Sequence, residues 1–307
     1  MRPSRRRPLL TVVLAVVAVG GVTATGAACA KARGSREAAA VSSAAVPSAS
    51  DSAGAGEEAS VEPVTDPAVD RDAVLARAMS AVSVPAGAQV SAAVLAVDSG
   101  ESAVYGHAAF DTASIVKVDI LAALLLRAQD AGRRLTATEQ AYATKMIENS
   151  DNASATALWH AIGGADGLDA ANRRFGLTAT SGGDGGLWGL TQTTAADQLV
   201  LLQQVFGEDS ELSAASRAYV QELMKSVEAD QGWGVSAAAG GTSWALKNGW
   251  LARSTTGLWD VNSIGRITVD GTGYLVAVLS KGTGSRARGI ALVEAAAKAA
   301  VAAFTGE

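Results

Sequence analysis

From Asp70 onward, apolar and polar positions recur with two different periods, and these divide the chain into elements. Val74, Leu75, Ala78 and Met79 repeat at helical spacing, so Asp70–Val82 is predicted to form an amphipathic helix. Gln89–Val97 is strand-like, Asp98-Ser99-Gly100 reads as a turn, and Ser102–Gly106 as a short second strand completing a hairpin. Helices are predicted over about 114–129, 137–148, 151–162, 167–175, 193–206 and 213–227. Strands follow near 243–247, 259–269 and 273–280, and an Ala-rich helix, Ile290–Phe304, closes the chain. Strands at both ends with helices between them imply an α+β fold. Its antiparallel sheet would be flanked by the terminal helices, with an inserted all-helical lobe and a cleft between the two parts.

The stretch before Asp70 follows neither period. Arg2, Arg5, Arg6 and Arg7 precede the uncharged run Leu9–Val19, and Gly- and Ala-rich sequence follows to Ala30. A basic start, a short apolar core and small residues at the exit describe a secretory signal over residues 1–28. Gly26-Ala27-Ala28-Cys29 resembles a bacterial lipobox, which would make Cys29 a lipidation site; simple cleavage after Ala30 is the alternative. Residues 29–68, rich in Ala, Ser, Gly and Glu and holding Pro47, Pro63 and Pro67, are expected to form a disordered tether. The folded domain is then 69–307, and the protein is expected to be exported to the cell envelope or beyond, any membrane attachment running through Cys29.

Composition narrows the chemistry. Of 307 residues 49% are apolar and 18% charged, enough for a packed core. The net charge is −5, and without residues 1–28 the balance is 21 basic against 30 acidic residues. That argues against nucleic acid as a partner. One cysteine and two histidines, His107 and His160, leave no disulfide framework and no His- or Cys-rich metal site, so neither metal nor cofactor is expected.

Lysine is scarce, and only Lys117 has a serine three residues before it, in Ser114-Ile115-Val116-Lys117. This pair opens a nearly all-apolar helix (Val118, Ile120, Leu121, Leu124, Leu125), which is therefore buried. A serine beside a helix N-terminus and a partly desolvated lysine can become a nucleophile; an N-cap serine with a snorkelling lysine is the bland alternative. Ser150-Asp151-Asn152 lies between two predicted helices and Lys247-Asn248-Gly249 ends a predicted strand.

With these three segments in order, the chain resembles the penicillin-recognising serine enzymes, most closely the class A β-lactamases, over about residues 70–304. The resemblance implies that Ser114 forms an acyl-enzyme, that Lys117 helps take its proton, and that Ser150 relays a proton to the leaving nitrogen. Lys247 would supply positive charge and Asn152 would bind the substrate amide. Asn248 and Gly249 complete the third motif, and the backbone N–H groups of Ser114 and Trp250 would form the oxyanion hole. It implies a small β-lactam or cell-wall-peptide-like substrate, a monomer, and hydrolysis of β-lactam amides as the leading activity. D-alanyl carboxypeptidase or transpeptidase activity, or a non-hydrolysing penicillin-binding or sensing role, are the alternatives.

The sequence departs from that family pattern in three places. Asn248 stands where Thr or Ser is usual. Only 36 residues separate Ser114 from Ser150, so a more open cleft is expected on that side. The glutamate that activates the deacylating water is matched best by Asp184 in Asp184-Gly185-Gly186-Leu187-Trp188, one methylene shorter and with Trp188 in place of Asn; Asp184 as a plain turn residue is the alternative.

Overall fold

The structure is a computed structural model that describes residues 69–241 and 243–306. The proposed signal, Cys29 and the tether lie outside the described residues.

Helix α1 (Arg71–Met79) is capped by Asp70, whose side chain accepts from Ala73 N, and it buries Leu75 and Met79. Strands β1 (Gln89–Ala96) and β2 (Ser102–Tyr105) form the expected hairpin. The last three long strands are β5 (Trp244–Ala252), β6 (Trp259–Val269) and β7 (Thr272–Thr283), numbered after two short strands described below. Strand β7 pairs antiparallel with β1, which joins the hairpin and the late meander into one sheet of order β2-β1-β7-β6-β5. Helix α8 (Arg286–Thr305) covers one face with α1, packing Val293, Ala296, Ala297 and Ala300 against Ala92, Val94, Val276 and Val278. Small side chains on α8 let it lie close to the sheet, and burial of the β-branched strand residues supplies the driving force.

Helix α2 (Val116–Asp130) forms the spine of the helical lobe. It is apolar nearly all round because helices surround it: α3 (Ala137–Glu148), α4 (Asn152–Ile162), α5 (Gly164–Phe175), α6 (Ala195–Phe206) and α7 (Ala214–Lys225). A capping box fixes the start of α3, Glu139 N donating to Thr136 Oγ1 at 3.2 Å and Thr136 N to Glu139 Oε2 at 2.7 Å.

Two differences from the sequence reading bear on function. The predicted helix at 114 begins instead as a 3₁₀ turn, Ala113–Ile115, with the α-helix starting at Val116. The strand expected near 243–247 runs on to Ala252, so Gly249 lies within β5 rather than at its end. A two-stranded pairing of β3 (Phe110–Asp111) with β4 (Gln192–Thr193) was not predicted; two-residue strands leave no period to read.

Candidate active site

The cleft floor is the 3₁₀ turn that carries Ser114. Ala113 has φ +47°, a left-handed conformation that costs a non-glycine residue energy and has to be held by its surroundings. One such restraint is β5. A Cβ at Gly249 would sit 2.7 Å from Ser114 N and 2.8 Å from both Ile115 N and Thr112 O. Only a glycine lets the edge strand approach the turn this closely, which brings the backbone of Trp250 alongside Ser114.

Ser150 is placed by the end of α3. It adopts φ +55°, and Asp151 N turns back to donate to Lys145 O at 3.0 Å. Asp151 then caps α4, its Oδ1 accepting from Ser154 N at 2.7 Å, so it acts as the structural cap within the motif. Asn152 opens α4 and Thr156 follows one turn later on the same face.

Two fully buried lysines converge on Ser150. Lys117 Nζ donates to Ser150 Oγ at 3.0 Å, Ser150 O at 2.6 Å and Asn152 Oδ1 at 2.8 Å. Lys247 Nζ reaches the same Ser150 Oγ at 3.0 Å and Asn248 O at 2.9 Å. Although Ser114 precedes Lys117 by three residues, the three acceptors of Lys117 Nζ belong to Ser150 and Asn152. Burial lowers the Lys117 ammonium from the ordinary lysine range to about 7, and the Asp151 carboxylate opposes that shift. Lys247 also lies well below the ordinary value, through burial first and then repulsion from Lys117. An amine poised near neutrality beside a hydroxyl that bridges two amines can accept, hold and return a proton at Ser150 Oγ.

A cavity of about 590 Å³ opens above Ser114. Asn152 and Thr156 form one wall, Leu187, Trp188 and Leu190 a second, and Trp250 to Thr255 a third. Trp188 is fixed by its Nε1, which donates to Thr156 Oγ1 at 3.1 Å, and its ring centroid lies 5.0 Å from Lys117 Nζ. Trp250 stacks beneath Arg286, whose guanidinium carbon is 3.9 Å from the ring centroid, and packs 5.9 Å from Trp233.

Two proposed site residues are placed elsewhere. Asn248 is fully buried and does not line the cavity; its Nδ2 donates to Gln231 O at 2.7 Å and Trp233 O at 2.9 Å. Successive residues of a strand face opposite sides, so with Lys247 turned toward Ser150 Asn248 turns away. That signal was present in the sequence. Asp184 is exposed and outside the cavity lining, and its carbonyl accepts from Leu187 N at 3.0 Å as a turn residue. Among the cavity's lining residues there is no carboxylate at all. Sequence reading missed Thr156, Leu190 and Arg253; Thr156 was legible as Asn152 plus four on one helix face, whereas the other two follow from loop paths.

The sheet with its covering terminal helices, the inserted helical lobe and the three motif segments meeting at their junction define the fold of the penicillin-recognising serine enzymes. Within that class the chain belongs to the Beta-lactamase enzyme family (Beta-lactamase2), whose sequence model matches residues 129–304. The matched span holds Ser150–Asn152 and Lys247–Gly249, while Ser114 and Lys117 precede it.

Solved structures carry the same fold at low identity. PBP-A is 20% identical with a TM-score of 0.66, covering 76% of this chain and 97% of its own. A PBP-A mutant solved as an acyl-enzyme complex with penicillin-G is 21% identical, with a TM-score of 0.65 and coverage of 76% and 97%. A representative class A β-lactamase from Bacteroides cellulosilyticus is 17% identical, with a TM-score of 0.65 and coverage of 77% and 99%. No curated protein matches the chain.

Proposed function

We propose that the protein is a serine acyl-transfer enzyme that takes its acyl group from a β-lactam or a D-alanyl-type amide and releases it slowly to water. The observation that carries this reading is Ser150 Oγ, held 3.0 Å from the Nζ atoms of both Lys117 and Lys247, with Lys117 also bonded to Asn152, which lines the Ser114 cavity. Ser114 Oγ attacks the amide carbonyl, and its proton passes to neutral Lys117. The tetrahedral oxyanion is received by the N–H groups of Ser114 and Trp250, each such donor being worth about 3 kcal/mol in comparable sites. Collapse breaks the C–N bond, the leaving nitrogen takes a proton through Ser150, and an ester remains on Ser114. Asn152 and Thr156 offer hydrogen bonds to the acyl group's amide.

Hydrolysis of that ester needs a base on the face away from Ser150. Among the described residues no carboxylate lines the cavity, and Asp184 is exposed beyond its rim, which favours a long-lived acyl-enzyme over rapid β-lactam turnover. We place the enzyme outside the cytoplasm, on the strength of the basic and apolar pattern of residues 1–28, with Cys29 as its candidate lipid anchor.

The test is to incubate residues 69–307 with penicillin-G, digest, and map the labelled residue by mass spectrometry. The expected label is on Ser114, absent from Ser114→Ala. A folded parent with no label, or a label that survives Ser114→Ala, sinks the proposal.

A further inference from the structure

The turn that carries Ser114 is held by a buried polar cluster that no motif of the sequence marks. Asp111, three residues before Ser114, is 4% exposed. Its carboxylate accepts from Gln192 Nε2 and pairs with the Arg253 guanidinium. Arg253 Nε also donates to the buried Asp260 Oδ2 at 2.7 Å. Behind them, Asn262 Nδ2 donates to the carbonyls of Asp111 at 2.8 Å and Thr112 at 3.0 Å, and Thr112 N donates to Thr191 O at 2.9 Å.

These contacts reach every wall of the cavity except the Asn152 side. Gln192 and Thr191 adjoin the segment Gly186–Leu190, and Arg253 lies within Trp250–Thr255. The strained backbone of Ala113 sits between the cluster and Ser114, and such a conformation persists only where its surroundings over-determine it. The cluster is poorly suited to holding an anion itself. Among the described residues, Arg253 is the only charged one lining the cavity, and it already faces two carboxylates.

We propose that Asp111 is a positioning residue for acyl transfer: through Gln192 and Arg253 it fixes the Ser114 turn relative to the two facing cavity walls. The proposal rests on Ser114 being the nucleophile. Asp111 does not contact the substrate space, and the shift of Lys117 arises from burial and Asp151, so Asp111 acts through geometry and not through the lysine's charge.

The test measures the rate constant, final stoichiometry and pH dependence of penicillin-G labelling in the parent, Asp111→Asn, Arg253→Gln and the double variant. Misplacement of a reacting group by a fraction of an ångström to 1 Å is expected to slow labelling by about 10- to 100-fold in Asp111→Asn. Stoichiometry should stay complete and the pH midpoint unmoved, and the double variant should be slowed by less than the product of the two single losses, because the two residues share a contact. Loss of stability alone would lower the labelled fraction and leave its rate constant at the parent value; that result overturns the proposal, as does a moved midpoint. Should Asp111→Asn not fold, Gln192→Ala removes one partner from the protein's surface, and a labelling rate there equal to the parent's also overturns it. A parent not labelled at Ser114 overturns the acyl-transfer reading itself, and this one with it.

Discussion

On one side of Ser114, two buried lysines share Ser150 Oγ, with Asn152 and Thr156 beside them; on the other, the loop after α5 presents Leu187, Trp188 and Leu190. The first side is rich in groups that exchange protons, whereas the described residues of the second that line the cavity carry no titratable side chain. On the proposed reading, acylation is served from the Ser150 side, and the side from which water would come carries no carboxylate among the described residues lining the cavity. The difference lies in the loop's path. A Cβ on Gly183 would meet Leu187 O at 2.2 Å, so the loop folds on itself as a tight turn and leaves Asp184 at its exposed corner. Trp159 Nε1 pins the turn from below by donating to Gly185 O at 3.0 Å.

Removing a lysine from the Ser150 side should have the largest effect. Lys117→Ala is expected to slow penicillin-G labelling by about 10²- to 10⁴-fold, the usual worth of a general base, while leaving the lifetime of any adduct unchanged. Stopped-flow or quenched mass measurements check both numbers. If the lifetime falls as well, the two sides are not separable.

Next comes Gly249→Ala, which pushes β5 away from the nucleophile turn. A cost of about 1–3 kcal/mol in urea denaturation and at least a tenfold slower labelling are expected. Normal labelling would mean that the close approach of β5 is incidental.

A smaller effect is the pH dependence of labelling. Lys117 must be neutral to take a proton, so the rate should rise with pH through about 7 and then level off. A flat profile between pH 5 and 9 would remove Lys117 as the base.

Away from the site, Asp119 on α2 is buried beside Gln198, and burial, with Asp197 nearby adding to it, raises its carboxyl from 3.8 to about 7. The folded state therefore holds this proton more tightly than the unfolded chain. Its stabilising contribution is full at acid pH, declines as pH rises from about 4 to 7, and is lost above. Asp119→Asn should thus gain stability relative to the parent on going from pH 5 to pH 8, by roughly 1–3 kcal/mol, read from urea midpoints at each pH.

The asymmetry between the two sides was only half legible in the sequence. Local signals carried the Ser150 side: an apolar helix opening with Ser114 and Lys117, a turn between two helices at Ser150, and a strand holding Lys247. The hairpin, the late meander and most helices were legible for the same reason, since each has a period of its own. What failed was non-local. Asp111, Gln192 and the stretch from Arg253 to Asn262 lie far apart in the chain and meet only because β3 pairs with β4 and Asn262 of β6 bonds the Asp111 carbonyl. Asp184 has the family spacing, yet the four glycines that flank it, Gly182, Gly183, Gly185 and Gly186, leave the loop's course open until its neighbours are placed.

The most direct measurement is a time course of intact mass after mixing the domain with a stoichiometric amount of penicillin-G, followed by removal of free antibiotic. The account requires a single adduct of full stoichiometry that persists over hours and whose decay is the same, within about twofold, in Asp184→Ala. Rapid turnover with no accumulating adduct, slowed by Asp184→Ala, would contradict it and return Asp184 to the water side of the site.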